Sequence, residues 1–585
     1  MHGLSWSRRC LLLGCVAVGC GGEDDGSSAS GGTAGTAAST AGTAVTGSDS
    51  DASSDASTGD GTATTGATTA GTTTGATTAG TTVGTTGPDT DPTETSDTDT
   101  GDTDGEPGVV PASGCPGRLA PLELTGLVAV VGDGSPASCT EQALHDAVAQ
   151  VNAAEGGGAV TFDCGGPHTI TLTQSVFAAR SMILDGGGEI TLSGGGAVRV
   201  IELDHYLDFV LQRITIRDGF VAAGSDNESG AGLLSPWFGT LKVIDATFQD
   251  NVSDSQEHDV GGGAIYAGGL TEAVLSGVTF LHNRGSTGGG VLSRSANLRV
   301  IDAVFLDNAA TSWAEDGQYG NGGGLYIDRM WLDAPVDFVI CGATFEGNHA
   351  KVHGSAFFSY NLEGSGATFD RCTFRDNDME GSPDGGTGSV YHQGVPLTLR
   401  DSTFAGNVTG GHAGGLFLGS GTNAAITNCT FTDNATAGNA GALWAGSGVV
   451  TVTNTTFSGN EADYGPVIFK GQTGSVTLTN VIFADNTTQN EFSARACHET
   501  FTDGGGNVQW PDIKNNGNPD TPCAAGALFA DPLLEALADN GGPTPTMALP
   551  GGSPALDIAD ACPDADQRGL PRAGLCDAGA YELQP

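Results

Sequence analysis

The clearest pattern in the chain begins after residue 240, where apolar and polar positions recur as a unit. Each unit centres on Phe-x-x-Asn: Phe248 with Asn251, Phe280 with Asn283, Phe305 with Asn308, Phe345 with Asn348 and Phe374 with Asn377. Phe404 with Asn407, Phe431 with Asn434, Phe457 with Asn460 and Phe483 with Asn486 complete the series. Successive phenylalanines lie 25 to 40 residues apart, a period expected of stacked units that cannot bury their faces singly. Counting back from each Phe, the seventh and fifth positions are apolar, as in Leu298 and Val300 or Val476 and Leu478. The third is polar or glycine (Asp245, Gly277, Asp302, Gly342, Arg371, Asp401, Asn428, Asn454, Asn480), and the second is small. Alternation, a one-residue slip at a turn former and renewed alternation spell a strand, a corner and a second strand. The Asn of each unit is predicted to stack on its equivalents as an amide ladder at the next corner.

A third short strand follows glycine clusters such as Gly262-Gly263-Ala264-Ile265 and Gly414-Gly415-Leu416-Phe417. Glycine there allows a tight bend where coils approach closely. Ile265, Leu292, Tyr326, Phe357, Tyr391, Phe417 and Leu443 read as one column of this strand. It alternates with a second apolar column, and one of the two must face outward. Three strands and three corners per 26–30 residues make an all-β fold, a right-handed single-stranded parallel β-helix of about a dozen coils. At a rise of about 4.8 Å per coil the rod would be roughly 55 Å long. A leucine-rich solenoid is the rival, but its asparagine does not follow a Phe and its repeats lack paired glycines.

The pairing of Gly-Gly-aliphatic with Phe-x-x-Asn over residues 230–490 resembles the repeats of the polymorphic outer-membrane protein family. That resemblance implies the β-helix fold. The family usually ends in an autotransporter barrel; here the sequence closes on Tyr581-Glu582-Leu583-Gln584-Pro585 without barrel-like alternation, so self-translocation is not expected.

Both ends of such a rod need covering, because unpaired strand edges invite aggregation. Ala143, Leu144, Ala147, Val148 and Val151 share one helical face, and Ser138 with Glu141 fits a capping box. With the strands that follow, this start resembles the CSLREA-type opening of bacterial β-helix proteins, although Thr140-Glu141-Gln142 departs from its Ser-Leu-Arg. An N-terminal cap over 111–165 and coils over 166–496 are expected. At the far end, Asp539-Asn540-Gly541-Gly542-Pro543-Thr544-Pro545-Thr546, Gly552-Ser553-Pro554-Ala555-Leu556-Asp557, Asp566-Gln567-Arg568-Gly569 and Cys576-Asp577-Ala578-Gly579-Ala580-Tyr581-Glu582 resemble the choice-of-anchor Q domain of exported β-helix proteins. Residues 497–585 are therefore read as a loop-rich C-terminal cap, in which Asp566 and Arg568, catalytic-looking in isolation, are read as a buried ion pair or a corner hydrogen bond.

Composition sets the address. Among 585 residues, 21 Lys and Arg face 68 Asp and Glu, a net charge of -47. That excludes nucleic acid as a partner, since phosphate neutralisation needs clustered cations. Arg8 and Arg9 precede an apolar run from Leu11 to Val18 that is too short to span a bilayer. Ala17-Val18-Gly19-Cys20 resembles the lipobox of bacterial lipoproteins, which implies a signal peptide over 1–19 and a lipid on Cys20; the paired arginines also resemble a twin-arginine export signal. Residues 20–110 are almost entirely Gly, Thr, Ser, Ala and acid, and are read as a disordered tether. The expected protein is a lipid-anchored monomer of the bacterial envelope, placed at the outer membrane and exposed at the surface.

Export agrees with the cysteines. Cys139 with Cys164, Cys497 with Cys523 and Cys562 with Cys576 are predicted to close loops in the caps, Cys115 has no assigned partner, and Cys372 and Cys429 should stay free, two coils apart.

Chemistry is sparse. Parallel β-helices include pectin lyases and polygalacturonases, yet lysine occurs only at 242, 351, 470 and 514, and Asp245, Asp302 and Asp401 recur at a corner, which reads as turn chemistry. His349 and His353 have a helical metal spacing that loses its meaning at a corner. No catalytic residue, cofactor or metal site is assigned beyond structural calcium; the tether acids Asp97, Asp99, Asp102 and Asp104 have calcium-loop flavour but are read as a solvated, self-repelling spacer. Insertions after Asn251, Asn308 and Asn377 share one side of the rod. Trp313 and Tyr319 lie in one of them, with Trp237 and Trp331 in neighbouring segments, aromatic residues suited to stacking on sugars or anchoring a protein. The favoured reading is non-catalytic adhesion or recognition of glycans or proteins. The alternatives are a polysaccharide lyase or glycoside hydrolase, and a structural surface spacer.

Overall fold

The computed structural model describes residues 113–257, 260–295, 297–312, 320–328, 337–361, 366–379, 386–559, 561–572 and 574–585. Among them, three parallel sheets of 26, 10 and 11 strands run along a single solenoid; we number these sheets 1, 2 and 3. One coil shows the plan. Gly239–Ile244 and Thr247–Gln249 belong to sheet 1, Val252–Ser253 to sheet 2 and Ile265–Ala267 to sheet 3. A coil thus has four strands where the sequence pattern suggests three. The extra one is a two-residue strand directly after each ladder asparagine.

Two backbone corners explain this plan. The residue three before each Phe, from Asp245 to Asn480, lies in the left-handed region with φ between 44° and 66°. So does the residue two after it, in the series Asp250, His282, Asp307, Gly347, Asp376, Gly406, Asp433, Gly459 and Asp485, with φ between 52° and 68°. Asp, Asn and Gly tolerate this conformation best, which accounts for both columns. From Asp307 onward acid and glycine alternate in the second column for a steric reason. A Cβ on Gly347, Gly406 or Gly459 would collide with Oδ1 of Asp307, Asp376 or Asp433 in the coil before.

Between the two corners the phenylalanines pair rung on rung. Their nine rings form one unbroken stack with centroids 4.4 to 5.6 Å apart. The asparagines are buried beside them. Asn434 Nδ2 donates to Asn460 Oδ1 at 3.0 Å and to the Phe404 carbonyl at 2.9 Å, and its own Oδ1 accepts from the Asn407 amide and backbone N–H. The same pattern runs from Asn251 to Asn486. Each side-chain amide therefore serves the buried polar groups that a corner would otherwise leave unpaired. Cys372 and Cys429 are buried, unpaired thiols in the small inward column, and burial pushes the Cys372 thiol up to about 12.

The N-terminal end is closed by helix α1, Glu141–Ala153, with Leu144, Ala147, Val148 and Val151 buried on the core. Its cap is Thr140, whose Oγ1 accepts the Ala143 N–H at 3.2 Å. The Ser138–Glu141 box does not form. Ser138 instead accepts from Asp133 N–H, and the Glu141 carboxylate accepts the N–H groups of Thr173 and Gln174. The Asn152 amide bonds the Phe177 carbonyl and Ala179 N–H, covering the first strand of sheet 3.

Both termini of the described chain fold back along the first corner as straps. From its start, the first strap passes Arg371, whose guanidinium donates to the Ser113 carbonyl. Arg118 bridges Asp245 at 2.5 Å and Asp302 at 3.3 Å, and Leu122 exchanges bonds with the Gln212 amide near the N-terminal end. A disulfide joins Cys115 to Cys341, 226 residues away. The second strap corrects the expected end cap. Residues 497–529 do extend the end, adding strands to sheet 1, but the remainder returns along the side of the rod. Ala561 meets Asn480, Asp577 meets Asn454, Ala565 meets Asn428, and Thr544 meets the Asp401 carbonyl. Buried Gln567 ties Thr403, Thr430 and Thr544 together. Cys139 is bonded to Cys164, Cys497 to Cys523 and Cys562 to Cys576.

Candidate functional site

Sheet 3 carries the most distinctive surface. Its inward column is Ile265, Val291, Leu325, Phe357, Val390, Leu416, Leu443 and Ile468, all buried. The outward column is Tyr266, Leu292, Tyr326, Phe358, Tyr391, Phe417, Trp444 and Phe469. The column inferred from sequence mixes the two. Ile265, Phe357 and Leu443 point inward, whereas Leu292, Tyr326, Tyr391 and Phe417 point outward. Apolar residues occupy both faces, so period-two alternation carries no phase information here.

From Tyr326 onward the outward rings stack continuously, with centroids 4.6 to 5.5 Å apart, and His498 caps Phe469 at 4.3 Å. Leu292, Tyr326 and Phe358 are buried, while Tyr391, Phe417, Trp444 and Phe469 are half-buried. Imidazoles flank the stripe: His353 stacks on Tyr391 at 5.3 Å and His412 lies 4.9 Å from Trp444. Burial lowers His353 to about 4 and lowers His412 and His498 as well, which favours their neutral forms; a Lys470–Glu499 ion pair lies at the His498 end of the stripe. Tyr391 donates to Gln393 Oε1 at 2.7 Å, and burial raises its phenol to about 12.

The stacking has a chemical consequence. Neighbouring planes are inclined by 6° to 23°, so ring faces are spent on one another and ring edges face solvent. A sugar stacks on a free face; a protein side chain packs equally well against edges. A separate exposed pair, Tyr206 and Phe238, stacks at 4.9 Å on corner residues with φ of 65° and 66°. The sequence places an apolar column on the outer face of the third strand and leaves open which one it is; the Tyr206–Phe238 pair does not follow from aromatic residues counted on loops.

Trp237 lies against the rod, its indole over Gly269 of the next coil, where a Cβ would strike the ring. Trp313, Tyr319 and Trp331 lie outside the described residues, as does Cys20. His349 and His353 are separated: His349 pairs with Asp378 from sheet 2, and Nδ1 of His353 meets Thr387 Oγ1 at 2.8 Å. Asp566 and Arg568 form a buried ion pair, 2.7 Å long, with the Tyr581 ring under the guanidinium. His392 is a core residue between Ser359 and the Val395 carbonyl. Among the described residues no three His, Cys, Asp or Glu side chains are grouped to hold a metal ion, and no helix is long and apolar enough to cross a membrane.

Comparison with known families agrees with this architecture. Residues 362–516 match the right handed beta helix region family, and residues 245–268 match the Chlamydia polymorphic membrane protein repeat. No curated protein matches the chain. The protein is a right-handed parallel β-helix whose repeats resemble those of the polymorphic membrane proteins.

Proposed function

We propose that this β-helix is a non-catalytic recognition protein of the bacterial envelope, lipid-anchored through Cys20, that binds a partner protein along the outer stripe of sheet 3. The observation that carries the reading is the run of Tyr391, Phe417, Trp444 and Phe469, aromatic, uncharged and half-exposed on a rigid parallel sheet. Large rings on a fixed scaffold supply contact area at small entropic cost, and such residues dominate protein interfaces. Ring edges disfavour glycan stacking. The chain's net charge of -47 disfavours a second copy as partner, since like fields repel.

The test pairs a glycan array with a panel of purified envelope and extracellular proteins, probed with full-length protein and a Phe417→Ser/Trp444→Ser variant. Protein binding that weakens at least tenfold in the variant supports the reading. Binding confined to glycans, or protein binding that ignores both substitutions, overturns it.

A further inference from the structure

Each of the three sheets has an edge at the N-terminal end of the rod, and the edges are treated differently. In sheet 3 the Asn152 amide of α1 bonds beside the first strand. In sheet 2 the first strand, Phe220–Val221, has its Phe220 N–H bonded to the Val198 carbonyl. In sheet 1 the first strand is Leu127–Val131. Among the described residues it pairs on one side alone, with Gly158–Phe162.

The phase of that pairing decides which groups are left over. Asp163 N–H bonds the Val131 carbonyl. Successive residues of a strand turn N–H and C=O to opposite sides. Leu127, Ala129 and Val131 therefore serve the neighbouring strand, and Val128 and Val130 present their main-chain groups to the open side. Such a row is a template for another strand.

The side chains reinforce it. Leu127, Val128 and Val130 are 43%, 42% and 53% exposed. Residues 124–132 contain no charge and no proline, the substitutions that ordinarily blunt an edge. The other end of sheet 1 is blunted: its last strand, Leu528–Phe529, is two residues long and is followed by Asp531-Pro532.

We infer that the Leu127–Val131 edge pairs with the same edge of a second copy, joining two rods end to end through a continuous sheet. The strand is self-complementary. With a two-fold axis at Ala129, antiparallel pairing sets Val128 opposite the second copy's Val130, and directly opposed residues of this phase exchange both N–H···O=C bonds. The open groups of both valines are thereby satisfied, and their β-branched side chains pack in register. The contact is isologous, so it closes at a dimer. The net charge of -47 repels copies lying side by side along sheet 3. End to end, they meet at an uncharged strand, and the remaining repulsion is screened by salt. A single strand pair buries little area, so the association is weak, reversible and strengthened by salt.

Sedimentation velocity of full-length protein from about 1 to 100 µM, the range suited to a contact of this size, at low and moderate salt, tests the edge. The expected result is a monomer–dimer equilibrium that tightens with salt. Val130→Pro removes an N–H that faces the open side and spares the bonds within the chain; Val130→Lys places a charge at the contact. Each should weaken dimerisation at least tenfold, with exchange protection of the Phe–Asn ladder unchanged. Mixing Val128→Cys with Val130→Cys protein reads the register, because the two-fold sets these positions opposite each other within bridging distance. The mixture should oxidise to a covalent dimer faster than either variant alone. A monomer at every concentration, an open-ended polymer, or a dimer that ignores both Val130 substitutions overturns the inference, as does a mixture that cross-links no faster than its components. Recognition along sheet 3 is read separately, because Val130→Pro leaves Phe417 and Trp444 in place.

Discussion

At the scale of single residues, corners and ladder amides decide the fold, and both can be probed one side chain at a time. Asn434→Ala removes two donated and two accepted bonds from a fully buried corner. Unmade buried bonds cost about 1–3 kcal/mol each, so local stability should fall by roughly 3–5 kcal/mol. Hydrogen exchange at Asn407 and its neighbours reports this better than a melting point, because a solenoid loosens locally. Asp401 provides a pH test. Burial pushes its carboxyl up to about 6 from 3.8, despite the Asn428 amide that bonds it. A raised acid favours the folded state while protonated, so its stabilising effect is complete below about pH 4 and is lost as pH rises through 6. Asp401→Asn suits the same corner, as Asn428, Asn454 and Asn480 do. Native protein should lose thermal stability relative to this variant between pH 4.5 and 7; parallel curves across that interval would refute the assignment.

At the scale of elements, a strand, corner and strand can be read from sequence when side chains of different character alternate. The Phe stack and Asn ladder are legible for that reason, and the first left-handed column is legible through its polar slip. The second column escapes notice because Asp and Gly are common throughout the chain, and its two-residue strand is too short to show a period. Sheet 3 is ambiguous in phase because Ile265 and Tyr266, or Leu443 and Trp444, are both apolar. The strap is illegible for a different reason: Gln567 meets Thr403 across 164 residues with no periodicity to announce it. Gln567→Ala should release residues 531–585 while sparing the coils, seen as faster proteolysis of the strap with unchanged exchange in the Phe ladder. Gly406→Ala should act on the coil itself. It forces a Cβ into a left-handed corner and onto Asp376 Oδ1, for which a cost of about 1–3 kcal/mol is expected.

At the scale of the whole molecule, the straps make the rod less modular than a simple stack. Exchanging Cys115 and Cys341 together for serine should weaken the N-terminal coils, by at most about 5 kcal/mol for a loop of this size, measured as denaturant midpoint under non-reducing conditions. The same bond decides how the protein takes mechanical load. Tension arriving from the residues before Ser113 reaches Cys115 first and crosses directly to Cys341 at mid-rod. Everything between those two cysteines, the helical lid and the earlier coils included, then hangs as a covalently closed loop outside the line of force. The solenoid is pulled across its waist instead of being unwound turn by turn from its end.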